Sequence, residues 1–96
     1  MTEAQYQNGL IKRLATVFPG IVILKNDPTY VQGIPDLVLL YRDKWAMLEV
    51  KKTPESHHQP NQEYYVNMLN GMSYARFVYP QNEKEVIDEL IQKFGS

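Results

Sequence analysis

Gly33-Ile34-Pro35-Asp36-Leu37-Val38-Leu39-Leu40-Tyr41-Arg42-Asp43-Lys44-Trp45-Ala46-Met47-Leu48-Glu49-Val50-Lys51 reads as two β-strands joined by a tight turn at Asp43-Lys44. Side chains alternate across a strand, so Met47, Glu49 and Lys51 share one face and Ala46, Leu48 and Val50 the other. A two-residue loop at Asp43-Lys44 pairs Arg42 with Trp45, and Asp36 then faces Lys51 while Val38 faces Glu49. Asp36, Glu49 and Lys51 converge on one face, and the opposite face is apolar throughout. A loop one residue longer would turn Asp36 to the wrong side.

Outward from this hairpin, residues 2–18 read as an amphipathic helix with a capping box at Thr2 and Gln5 and a stripe of Tyr6, Leu10, Leu14, Val17 and Phe18. Glu3 continues that core-facing stripe, with Gln7 one turn later. Ile21-Val22-Ile23-Leu24 is a short apolar run expected to form a buried strand, and Asn26-Asp27-Pro28 opens the loop that returns to Gly33. The polar stretch 53–59 is a loop, in which adjacent His57 and His58 read as solvated or as contacts to a polyanion. Pro60 starts a second helix that ends near Asn70-Gly71, and Gln62, Tyr65, Val66 and Leu69 line its inner face. Tyr74–Tyr79 reads as a strand, and Asn82 caps a last helix with a stripe of Val86, Ile87, Leu90, Ile91 and Phe94. The order is α-β-β-β-α-β-α.

The 96 residues, 44% hydrophobic and 22% charged, fit one globular domain, residues 1–96. No apolar run approaches the roughly 18 residues of a membrane span. The polar N-terminus lacks a signal peptide's apolar centre. With no cysteine, disulfides and thiolate metal sites are excluded, and a cytoplasmic location is expected. A net charge of −1 weighs against a polyanionic partner. Seven of the ten basic residues nevertheless fall within the first 52 positions, and Glu83, Glu85, Asp88 and Glu89 gather near the end.

Two carboxylates and an amine on one face are the groups that hard divalent cations and phosphodiester cleavage require. The carboxylates take the cation, and an ammonium orients water or neutralises phosphate charge. Gly33-Ile34-Pro35-Asp36, Glu49-Val50-Lys51 and Gln62 resemble the VRR-NUC (virus-type replication-repair nuclease) family of the PD-(D/E)XK nuclease superfamily. The resemblance runs from Glu3 to the last helix. It implies an α/β fold with an α-β-β-β-α-β core around a mixed central sheet. It also implies Asp36, Glu49 and the Val50 carbonyl as ligands of Mg²⁺ or Mn²⁺, Lys51 as catalytic lysine, and Glu3 and Gln62 as further site residues. The implied activity is an endonuclease on branched DNA such as Holliday junctions, in a stand-alone homodimer of the virus-encoded kind. A flap, nick or single-strand nuclease and a catalytically idle DNA-binding subunit are the alternatives. Trp45, Tyr64, Tyr65, Met68, Met72 and Phe77 are surplus to one small core and point to an apolar interface on the second helix and its following strand. Tyr30 is the candidate for DNA contact.

Overall fold

The capping box forms as read: Gln5 N–H donates to Thr2 Oγ1 at 3.1 Å and Thr2 N–H to Gln5 Oε1 at 2.8 Å. In the computed structural model, which describes residues 1–95, this box opens α1 (Glu3–Val17). There follow β1 (Val22–Lys25), β2 (Leu37–Tyr41), β3 (Lys44–Val50), α2 (Pro60–Met72), β4 (Ala75–Val78) and α3 (Glu83–Gly95). Among the described residues the strands make one sheet in the order β1-β2-β3-β4. The pairs β1-β2 and β2-β3 are antiparallel. The pair β3-β4 is parallel, because α2 carries the chain back along the sheet before β4 begins. The sheet is therefore mixed.

Two apolar layers sandwich it. Tyr6, Leu10 and Leu14 of α1, Phe18 at its end, and Val86, Leu90 and Phe94 of α3 bury against Leu37, Leu39, Ala46, Leu48, Val50 and Val78. On the other face Val66 and Leu69 of α2 pack with Ala75, Trp45, Met47, Tyr65, Phe77 and Ile34. Each helix thus covers the sheet with the stripe that its 3.6-residue period aligns. Polar pairs fasten the outer layer. Tyr6 Oη donates to Glu83, which also takes a two-pronged hydrogen bond from Arg13, and Tyr74 Oη and Arg76 both bond to Glu89. Among the described residues no helix is long and apolar enough to cross a membrane.

Four expectations need correcting. The hairpin turn is Arg42-Asp43, not Asp43-Lys44, and Tyr41 pairs with Lys44. Arg42 adopts the left-handed conformation, φ 59°, with its guanidinium over the Tyr41 ring. The register moves by two, so Leu37 pairs with Leu48 and Asp36 comes beside Glu49 rather than Lys51. A shift of two keeps the face, and packing of Leu37, Leu39, Ala46 and Leu48 in the core selects it. Second, β1 is an edge strand rather than a buried one. Ile21 and Ile23 reach the core, but Val22 and Leu24 lie on the face that α2 leaves uncovered, each about half exposed. Third, the Asn82 side chain does not cap α3. It turns back, accepting from Tyr79 N–H and donating to the Phe77 carbonyl, while only its backbone carbonyl accepts from Val86. Fourth, Val17 of the α1 stripe and Ile91 at the edge of the α3 stripe are exposed.

Candidate active site

Asp36 stands immediately before β2, Glu49 lies in β3, and Lys51 follows that strand's last residue. Parity brings all three to the α2 side of the sheet, as the alternation requires. Gly33 sets the approach of the preceding loop. Its φ is 90°, and a Cβ there would overlap the Asn61 side chain and lie 2.8 Å from Asn61's carbonyl carbon. Only glycine lets residues 33–36 run this close to the start of α2. Asn26 closes the other end of that loop, donating its N–H to the Asp36 carbonyl and its side-chain amide to the Pro35 carbonyl. Asp36 is thus held stiffly at the strand start.

The Asp36 carboxylate accepts the Val50 N–H at 2.9 Å. Glu49 is 3% exposed. Its Oε2 accepts from Gln62 Nε2 at 3.2 Å and stands 3.8 Å from Lys51 Nζ, and its Oε1 is buried with no hydrogen-bond partner. Lys51 is also buried, its ammonium donating to Gln62 Oε1 at 2.9 Å and to the His57 carbonyl at 3.0 Å. Gln62 Oε1 accepts in addition from Gln59 N–H at 2.9 Å. The Gln62 amide therefore bridges acid and amine, oxygen toward the donors and nitrogen toward the carboxylate.

Burial pushes the Glu49 carboxyl from its ordinary value of 4.5 up to about 8, and the neighbouring Asp36 charge adds to the rise. Lys51 opposes it, and the charge of Glu3 contributes a smaller upward push. Glu3 is thus electrically coupled to the cluster, although it is exposed in the first turn of α1 rather than part of the buried stripe, which begins at Tyr6. Gln7, one turn later, is half-buried.

A raised carboxyl pKa has a definite sign for stability. The folded chain holds the Glu49 proton where the unfolded chain has lost it. The contribution is complete below about pH 4.5 and is lost as pH rises through about 8. In chelator, the parent's melting temperature is expected to fall across that window. Glu49→Gln, neutral at every pH, should melt higher than the parent above pH 8, by roughly 5 °C or more. Parallel melting curves for the two chains across this range would show that Glu49 does not titrate in this way.

The donor set suits a hard divalent cation. Among the described residues there is no group of three or more His, Cys, Asp or Glu side chains able to enclose an ion, which leaves two carboxylates as the acidic donors. An orphaned buried oxygen on Glu49 beside the Asp36 carboxylate is what an oxygen-liganded cation that keeps several waters would satisfy. Val50, whose carbonyl completes the ligand set implied by the resemblance, lies between the two functional residues with its N–H given to Asp36.

The histidines separate. His57 is exposed and contributes its carbonyl, whereas the His58 side chain, 28% exposed, packs one ring face on Phe77. Tyr30 is 88% exposed on the loop leading to Gly33. Side-chain patterns missed the groups that hold the site through the backbone: Val50 N–H, His57 C=O and Gln59 N–H. Main-chain carbonyls, and N–H groups outside proline, are common to every residue, so no sequence signal marks them.

No protein-family model and no curated protein matches the chain. A solved structure described as a VRR_NUC domain protein superposes on it with a TM-score of 0.74 at 22% sequence identity, covering 97% of this chain and 90% of that one. Strand order, the parallel β3-β4 pair reached through α2, and near-complete overlap agree: the chain has the VRR-NUC fold.

Proposed function

We propose that the chain is a divalent-cation-dependent endonuclease that hydrolyses DNA phosphodiester bonds, selects branched DNA such as Holliday junctions, and works as a homodimer. The observation that carries this reading is the buried Glu49 carboxylate, whose Oε1 has no hydrogen-bond partner and whose Oε2 stands near Lys51, beside the charge of Asp36. A module that only bound DNA would gain nothing from a desolvated acid of this kind. Asp36, Glu49 and the Val50 carbonyl would hold Mg²⁺ or Mn²⁺. When bound, such a cation neutralises phosphate charge and lowers the pKa of water. The chain's own groups do the rest. Val50 N–H holds the Asp36 carboxylate in place. Gln62 and the His57 carbonyl take two of the three Lys51 donors, leaving the third to orient water or meet a phosphate oxygen. Glu3 would add negative charge at the rim.

The dimer has its own support. Tyr64, Met68 and Met72 recur every four residues along α2 and are exposed, Tyr64 at 62% and Met72 at 68%. Val22, Leu24 and Leu40 are exposed on the same side of the sheet. The exposed side chains of α2, β1 and β2 would supply the apolar surface, rather than α2 with β4, where Phe77 is covered by His58. A two-fold axis through such a surface presents two sites, as symmetric cutting of a four-way junction demands.

Synthetic junctions, flapped and nicked duplexes and linear duplex, each with Mg²⁺, Mn²⁺ or chelator, test the proposal, with light scattering on the same samples. Paired cuts in junctions by a dimer, absent in chelator, are expected. Preference for flaps or nicks by a monomer would reassign the substrate. Tight binding with no cleavage under any condition would make the chain an idle subunit.

A further inference from the structure

The His58 side chain makes no hydrogen bond to Asp36, Glu49, Lys51 or Gln62, yet it is fixed from two directions. Its ring lies flat on Phe77 of β4, centroids 4.0 Å apart and planes within 4°. Its Nδ1 is 3.2 Å from Glu63 Oε1 on α2. A carboxylate only accepts, so Nδ1 carries the proton of this bond. The loop on the other side of His57 is closed on itself, with Thr53 N–H donating to Ser56 Oγ and Ser56 N–H to the Thr53 carbonyl. Between these two anchors lies the His57–His58 peptide, whose oxygen accepts from Lys51 Nζ at 3.0 Å. Because the peptide unit is planar, fixing the His58 Cα fixes one end of the plane that carries this oxygen.

We propose that His58 is a positioning residue for Lys51: stacked on Phe77 and bonded to Glu63, it holds the His57 carbonyl that orients the buried ammonium. Its effect on cleavage rests on the nuclease reading; its effect on Lys51 rests on the geometry alone. A side chain that merely stabilised the fold would alter melting temperature without altering Lys51.

The test compares His58→Ala, His58→Phe and Glu63→Ala with the parent. One readout is the rate at which each lysine reacts with an amine reagent in cation-free chain, resolved by peptide mass spectrometry. The other is junction cleavage with Mg²⁺. In His58→Ala, Lys51 should react several-fold faster, while Lys84, 91% exposed on α3, serves as an unchanged control. Its kcat should fall about ten- to a hundred-fold with KM within about two-fold, the size of loss that small misplacements produce. His58→Phe keeps a flat ring for Phe77 and should stay within about three-fold of the parent on both readouts. Parental Lys51 reactivity in His58→Ala, or a His58→Phe as disturbed as His58→Ala, overturns the proposal. If His58→Ala fails to fold by circular dichroism, Glu63→Ala decides. Glu63 is 65% exposed; Glu63→Ala loses the same bond as His58→Phe and keeps the stack, so its Lys51 reactivity should rise about two- to three-fold, and parental reactivity there overturns the proposal. A parent that cleaves no DNA sinks the nuclease reading, and lysine reactivity still decides the role of His58.

Discussion

Asp36→Asn and Glu49→Gln are each expected to lower kcat by about a thousand-fold or more, the equivalent of about 4 kcal/mol of barrier. Both changes keep shape and remove charge. The amide introduced by Asp36→Asn still offers an oxygen to Val50 N–H. The amide introduced by Glu49→Gln is neutral, as the buried Glu49 carboxyl prefers to be in cation-free chain, so both variants should fold. What disappears is the pair of anionic oxygens proposed to hold the cation. DNA binding in chelator should be unchanged or tighter for Asp36→Asn, because charge that repels phosphate has gone, and unchanged for Glu49→Gln, whose carboxyl is already largely neutral without a cation. Gel shifts and quenched-flow cleavage on the same junction separate the two effects. Parental cleavage by either variant would remove that acid from the proposed machinery.

Lys51→Ala should lose about a hundred- to a thousand-fold in kcat, the range seen when one donor to a developing oxyanion is removed. Its cation affinity should change far less, because the ammonium is given to Gln62 and the His57 carbonyl. Lys52 is exposed and lies beyond the end of β3, so Lys52→Ala should cost only a few-fold, chiefly in KM. The loss at Lys52 should shrink as salt rises, and the loss at Lys51 should not. Equal, salt-sensitive losses at both positions would reduce Lys51 to simple phosphate attraction.

The parts of this site legible in the residues were those governed by a period. Strand alternation fixed the face of Asp36, Glu49 and Lys51, and helix periodicity placed Gln62 inward on α2. Register was less legible than parity. The hairpin turns on a left-handed Arg42, a conformation usually supplied by glycine or asparagine, so the residues carried no sign of where the turn would fall. Burial of β1 was misread because an apolar run records what a strand could bury, not whether a helix arrives to cover it. Glu3 fell outside the stripe, whose first buried member, Tyr6, sends its hydroxyl to Glu83 on α3. That bond, like the His58–Phe77 stack, joins residues far apart in the chain, and local patterns are silent on such partners.

The adjacent amides of Val50 and Lys51 record two different moments of assembly. Val50 N–H is satisfied by the Asp36 side chain at the start of the neighbouring hairpin strand, across a two-residue turn, so closing this loop has a low entropic cost. Lys51 N–H is satisfied by the carbonyl of Val78, which reaches it only after α2 has crossed the sheet and β4 has docked in parallel. The two acids therefore meet early, and the amine receives its clamp late. Pulse-labelling hydrogen exchange during refolding should find Val50 shielded before its immediate neighbour. Simultaneous protection would mean that hairpin and crossover close in one event. A chain assembled in this order would possess the half proposed to hold a cation before its lysine was in place, and so, on the proposed function, would pass through a stage able to grip an ion but unable to cut.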